Sequence, residues 1–552
     1  MLLKKRKLSA AWLRRMEKQP ISGVRIMSEW WKNGVVYQIY PRSFQDSNGD
    51  GIGDLAGIMQ RLDYLQWLGI EAIWLSPIYV SPMADFGYDV ADYRDIEPIF
   101  GNLDDFDRLV QEAKARNIRV LLDFVPNHSS DQHPWFLESR SSRDNPKRDW
   151  YIWKDPAPDG GPPNNWLSVF GGPAWEWDEP TQQYYLHSFL KEQPDLNWRN
   201  PEIVAEIKES LAFWLKRGVS GFRLDVIHFL LKDDQFRDDP INPDFTEGNP
   251  WEGLIHQYSS LQPGVYDLIH ELRDVIDYHG DNVLIGEINY SAPIEEIVSF
   301  YDGKGLHLPF NFWLILLDWN AGVLRDFIHT FDQAIPVGGW PNYVLGNHDR
   351  SRLGSRIGPE YIRLAAMLLL SLRGTPFIYY GEELGMLDVA IPADKVQDPW
   401  EINVPGQGRD PVRTPMLWDD SPNAGFTDGE PWLPVTPDYA QASVQAQQAD
   451  SRSVLHLYRA LLQLRRESDA IGLGDYDTLH SDNLNVLVYL RTQGQERMIV
   501  ALNFSDEIQQ LNLPGYENGQ IELSTLLDRG GEVKLSALEL RPYEGCIIRV
   551  EA

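Results

Sequence analysis

Cys546 is the only cysteine in a chain of 552 residues. No internal disulfide can form, and any metal or nucleophile scheme that needs paired thiols is excluded; the expected compartment is the cytoplasm. Long apolar runs are missing too, for no stretch approaches the roughly eighteen apolar residues that cross a bilayer. The first 26 residues cluster bases (Lys4 to Lys7, Arg14, Arg15) but lack the apolar core of about seven residues that a signal peptide uses. Residues 1–27 therefore read as a disordered or amphipathic extension ahead of an ordinary start at Met27. Positive charge is scarce: 50 Lys plus Arg face 81 Asp plus Glu, a net charge of −31. That balance opposes nucleic acid and anionic membranes and suits a neutral or cationic partner.

Aromatic residues are plentiful by contrast, with 20 Trp and 24 Tyr. Most must pack cores, yet the remainder suit stacking against sugar rings, which are neutral. In chain order, eight apolar strand-like runs alternate with helical patterns. They are residues 34–41, 72–77, 119–125, 221–226, 282–288, 307–312, 342–347 and 375–380. The helices carry their own punctuation: Asn200 and then Pro201 open one that closes at Gly218, and another runs from Leu55 to Leu68 before Gly69. Continuous apolar strands in eight βα units imply a closed parallel (β/α)8 barrel, whose active site lies at the carboxyl ends of the strands.

The spacing is uneven. About a hundred residues separate the third run from the fourth where one βα unit needs roughly thirty, so residues 129–198 are expected to form an inserted subdomain. The barrel would then comprise 28–128 and 199–470. From 471 to 552 the pattern changes to short alternating strands, the mark of a C-terminal antiparallel β-sandwich.

One run organises the chemistry, Gly221-Phe222-Arg223-Leu224-Asp225. As a strand it sets Arg223 and Asp225 on one face, where the guanidinium is expected to keep the aspartate ionised, as a nucleophile requires. An isolated Arg-x-Asp is more often a structural ion pair. Its company changes that: Asp123, Asn127 and His128 end the third strand, Glu287 the fifth, and His348 with Asp349 the seventh. Two carboxyls in different environments are what glycosidic cleavage requires, one ionised to attack and one protonated to help the sugar leave. Glu287, after the apolar Leu284-Ile285-Gly286, is the expected proton donor, its pKa raised by desolvation.

The segments DFVPNH, GFRLD, GEI and GNHD resemble the four signature regions of the α-amylase superfamily of glycoside hydrolases, and QPDLN (Gln193 to Asn197) a fifth, typical of its α-glucosidase and oligo-1,6-glucosidase group. The likeness runs from about Trp30 to Trp418. It implies two-step cleavage with retention: Asp225 as nucleophile, Glu287 as general acid and then base, and Asp349 holding the sugar hydroxyls. It also implies an exo-acting pocket floored by Asp85 and Tyr88. His128 and His348 would be hydroxyl ligands, Arg223 a further substrate-binding residue, Phe170 an aromatic wall, and Arg413 an arginine closing the pocket from the eighth loop. Asp123 reads as a support behind these groups. By the same resemblance, a valine such as Val226 after the nucleophile goes with α-1,6 bonds, while the short stretch from Gly381 to Arg413 and His228 point the other way, leaving the linkage open.

A separate constellation follows the first strand. Asp46, Asn48, Asp50, the Ile52 carbonyl and Asp54 place oxygen atoms at alternate positions with Gly51 at the turn, like the first part of a calcium loop. The twelfth position is Gly57 rather than a glutamate, so this is not an EF-hand. A structural Ca2+, or Mg2+, is expected there, and no organic cofactor. The expected activity is hydrolysis of short α-glucosides (maltose, isomaltose or sucrose-like) by a monomer or small homo-oligomer. A transglucosidase or sucrose isomerase would use the same residues, and an inactive binding relative would usually lack one of the three carboxylates.

Overall fold

The computed structural model describes residues 29–551; the expectation for residues 1–27 lies outside them. Eight parallel strands form the central sheet: β1 (Val36–Ile39), β2 (Ala72–Leu75), β3 (Arg119–Phe124), β4 (Gly221–Leu224), β5 (Val283–Gly286), β6 (Leu308–Pro309), β7 (Asn342–Val344) and β8 (Thr375–Tyr379). Their hydrogen-bonded order is β6-β5-β4-β3-β2-β1-β8-β7. Only the β6–β7 seam lacks a ladder. Asn342 spans it with its side chain, donating to the Pro309 carbonyl at 2.5 Å and accepting from the Asn311 amide at 3.2 Å.

The strands are apolar on both faces because each packs two ways. Val36, Ala72, Trp74, Leu121, Val283, Ile285, Phe310 and Phe377 fill the barrel interior, while Phe222, Leu224, Leu122 and Ile378 face the surrounding helices. Helices start and stop where the sequence punctuates them: Pro201–Lys216 is capped by Asn200, and the segment from Leu55 to Leu68, broken at Arg61, ends on left-handed Gly69 (φ 104°).

Between β3 and β4 lies a three-stranded antiparallel sheet of Trp153–Lys154, Gln183–Leu186 and Trp175–Asp178. Asp195 ties it to the barrel, for its carboxylate meets Lys232 Nζ at 2.5 Å and accepts from Asn127 Nδ2 and Ser188. The QPDLN motif is thus a buried joint beside the site. A second long connection, residues 227–264 after β4, bends over the same end of the barrel. Beyond the helix Val454–Glu467, a six-stranded antiparallel sheet and a two-stranded one enclose their own core. Among the described residues, no helix is long and apolar enough to cross a membrane.

Candidate active site

Strand period places Arg223 inside the barrel, its guanidinium 5.2 Å from the centre of the Trp74 ring. From there it reaches three acids at once: Nη1 lies 2.8 Å from Asp123 Oδ1 and 2.7 Å from Asp225 Oδ1, and Nη2 lies 2.6 Å from Glu287 Oε2. Asp225 follows β4 and Glu287 follows β5, so register 4–5 pairing brings their carboxyls together. The Val226 amide, on a left-handed residue (φ 37°), donates to Glu287 Oε2 at 3.1 Å. A β-branched residue rarely adopts that conformation; here it turns an N–H onto the carboxylate.

One guanidinium cannot hold three carboxylates ionised. Burial pushes the Asp225 carboxyl up, Arg223 pulls it down, and the charges of Glu287 and Asp123 push it up again, for a net rise. Asp123 rises to about 6, also through burial. The expectation that Arg223 alone would keep Asp225 ionised is therefore corrected: desolvation and neighbouring carboxylates outweigh one cation, and the cluster retains a proton.

Asp349, five residues past β7, has the opposite balance. Burial alone would raise it, but Arg409 and Arg413, 3.4 and 3.1 Å from its Oδ1, hold it below the usual carboxylate range. His348 beside it is neutral, lowered to about 3 by burial, and its Nε2 meets the Tyr88 hydroxyl at 2.7 Å. Tyr88 also donates to Asp123 at 3.0 Å and stacks flat on the His348 ring. His128, lowered to about 4 by burial, meets Gln193 Nε2 at 3.1 Å. These imidazoles are hydrogen-bonding groups, not cations, at neutral pH.

The groups surround a cavity of about 160 Å³. Asp85, Tyr88, His128, Phe170, Asp225, Glu287, His348 and Asp349 all line it. Arg223 and Arg413 do not. The expectation that Arg223 binds substrate is corrected, for it stands behind the carboxylates, 1% exposed and engaged by three acids; Arg413 is fully buried, donating to the His348 carbonyl and to Asp349. The expectation that Arg413 closes the pocket is corrected: Arg409 does so, with Nη2 2.7 Å from both Asp85 and Asp398 and its guanidinium 5.0 Å from the Phe170 ring. Sequence reasoning also missed Trp400, Tyr290, Arg350 and the Asn249–Glu252 turn, all on the wall. The only advance signal was an excess of aromatic residues in long connections.

The Asp46 loop lies apart. Asp46 accepts from the amides of Asn48, Gly49 and Gly51 and from Thr427; burial would raise its carboxyl, but these bonds hold it low and ionised. Asn48 and Asp50 accept from the amides two residues on, and Asp54 takes Ser47 and caps the next helix through Gly57. Among the described residues no three His, Cys, Asp or Glu side chains converge as a metal cluster; any ion here would also need the Asn48 and backbone oxygens.

A barrel with acids converging at the carboxyl ends of its strands beside an aromatic-lined pocket suits a carbohydrate-active fold. Residues 38–474 match the alpha amylase catalytic domain and 476–547 the maltogenic amylase C-terminal domain. The chain belongs to the α-amylase family. It is 41% identical to an oligo-1,6-glucosidase of Parageobacillus thermoglucosidasius (94% of this chain, 99% of the relative) and 43% identical to a probable alpha-glucosidase of Rhizobium meliloti strain 1021 (92% and 96%). Among solved structures it resembles the alpha-glucosyl transfer enzyme XgtA, with TM-score 0.89, 41% identity and coverage of 95% and 99%. It also resembles the trehalulose synthase MutB of Pseudomonas mesoacidophila MX-45, with TM-score 0.86, 38% identity and coverage of 95% and 99%.

Proposed function

We propose that this protein is a retaining, exo-acting α-glucosidase that removes the terminal non-reducing glucosyl unit of short α-glucosides. The observation that carries the reading is the single Arg223 guanidinium in contact with both Asp225 and Glu287. Carboxyls bridged across one guanidinium suit the spacing of about 5–5.5 Å used for direct attack, against about 6.5–9.5 Å when a water must fit between them.

Asp225 attacks the anomeric carbon while Glu287 gives its proton to the glycosidic oxygen, and the aglycone leaves. A water then enters, Glu287 takes its proton, and the hydroxyl displaces Asp225, so two inversions restore the α-configuration. Arg223 fits this sequence because it can follow negative charge from one carboxylate to the other. Asp349, held ionised by two guanidinium groups, stabilises the oxocarbenium-like transition state. Asp85 and Arg409 take the far hydroxyls and close the floor, which makes cleavage terminal.

A transglucosidase or isomerase is the second reading, favoured by the high structural similarity to an alpha-glucosyl transfer enzyme and a trehalulose synthase. It differs only in what reaches the covalent intermediate. We further propose a structural Ca2+, or Mg2+, held by Asp46, Asn48, Asp50, the Ile52 carbonyl and Asp54. The donors are hard oxygens and Asp46 is ionised, which suits such ions. A cytosolic address, supported by a single cysteine that allows no internal disulfide, completes the proposal, together with a monomer or small homo-oligomer.

The test is proton NMR of the protein with maltose and with isomaltose. α-Glucose released first from either sugar supports the reading, and the faster sugar assigns the linkage. β-Glucose first would overturn it, while dominant glucosyl transfer or isomerised product would favour the second reading.

A further inference from the structure

Four acids of the pocket, Asp85, Asp225, Glu287 and Asp349, are matched by cations of the protein itself. Arg409 meets Asp85, Arg409 and Arg413 meet Asp349, and Arg223 meets Asp225 and Glu287. One guanidinium on the wall is left over. Arg350 lines the cavity with no carboxylate paired to it among the described residues, and its Nε is buried without a hydrogen-bond partner. Its guanidinium carbon sits 4.4 Å from the centre of the Tyr290 ring.

That platform is fixed. Tyr290 stacks on Phe312 with centroids 4.0 Å apart and an interplanar angle of 15°, and Asn347 binds its hydroxyl. A guanidinium lying on an aromatic face keeps its N–H groups in its own plane, free to engage a carboxylate in a forked pair. The position adjoins the segment that carries Glu287, the proposed donor to the leaving group. Arg350 follows Asp349 and leans on a residue three past Glu287, whereas the sugar-binding floor is built by Asp85 and Arg409.

We propose that Arg350 selects the aglycone, recognising a leaving group or acceptor that carries a carboxylate. The proposal rests on the α-glucosidase reading and adds a substrate class to it. Glu252, exposed at the same rim, opposes an anion, and the net charge of −31 repels one at long range. Recognition therefore belongs to the contact with Arg350 rather than to the approach.

The experiment compares kcat/KM for 4-carboxyphenyl α-D-glucoside with that for phenyl α-D-glucoside, in the full chain and in Arg350→Gln and Arg350→Lys. Leaving-group reactivity cancels when this ratio is compared between variants. The ratio should fall about tenfold in Arg350→Gln, the effect of one lost charge-assisted hydrogen bond, and less in Arg350→Lys, which keeps the charge but not the fork. An equal ratio in all three proteins, with both glucosides cleaved, would overturn the proposal and leave the α-glucosidase reading standing. Cleavage of neither glucoside by the unmodified chain would remove that reading and the proposal with it.

Discussion

Arg223 decides how the chemistry is set up, because three buried acids compete for its one positive charge. Replacing Asp225 with Asn leaves the shape and removes the proposed nucleophile; turnover should drop by at least about 10⁴-fold, as judged by glucose release, and a variant within tenfold of the original would contradict the assignment. Asp123→Asn tests the competition itself. Asp123 pushes the Asp225 carboxyl up and draws on the same guanidinium. Without that charge Asp225 ionises at lower pH, so the acid limb of kcat/KM should move down; an unmoved limb would mean the two do not share the cation. The five motifs made Asp225, Glu287 and Asp349 legible, since strand periodicity and strand ends fix where such side chains point. The balance of charge around them was not legible. Whether burial or Arg223 dominates depends on how many acids the barrel brings to one guanidinium, and Asp123 lies 100 residues away in sequence.

At the scale of elements, the loops hold what the strands could not announce. Arg413 was the natural guess from its motif, yet Arg409, four residues earlier, turns into the pocket because Asp398 grips its Nε and Nη2 and Asp85 waits 324 residues away. The turn after β8 carries a second consequence. Burial raises Glu382 to about 8, with Tyr458 donating to one oxygen and the other without a partner. An unfolded glutamate gives up its proton near about 4.3, while the folded one keeps it until about 8, so across that window the unfolded state binds fewer protons and stability falls as pH rises. Glu382→Gln should remove that slope: its melting temperature should gain on the original at about pH 8 more than at about pH 5. Parallel melting curves would show that Glu382 ionises normally. The Asp46 loop predicts its own response to a chelator. Stripping divalent ions should lower the melting temperature by a few degrees, restored by Ca2+, and Asp46→Ala should abolish the response; a chelator without effect would argue against an ion there.

Across the whole molecule, eight short strands buried on both faces aim their carboxyl ends at one cavity, and the inserted sheet and the connection after β4 wall it in. This much was readable from eight apolar runs and one overlong gap, because burial on both faces demands unbroken apolar strands. The second wall, residues 227–264, was not, since a loop without periodicity declares its partners only when the chain is folded. The proposed function makes everything assembled there serve one event, transfer of a glucosyl unit to Asp225. The most direct measurement is mass spectrometry of peptides after brief exposure to 5-fluoro-α-D-glucosyl fluoride, an activated glucoside whose fluorine slows release of the intermediate. A fluoroglucosyl adduct on the peptide carrying Asp225, absent in Asp225→Asn, is the predicted result. Turnover of this reagent with no adduct, or an adduct on another carboxylate, would contradict the double displacement at its first step.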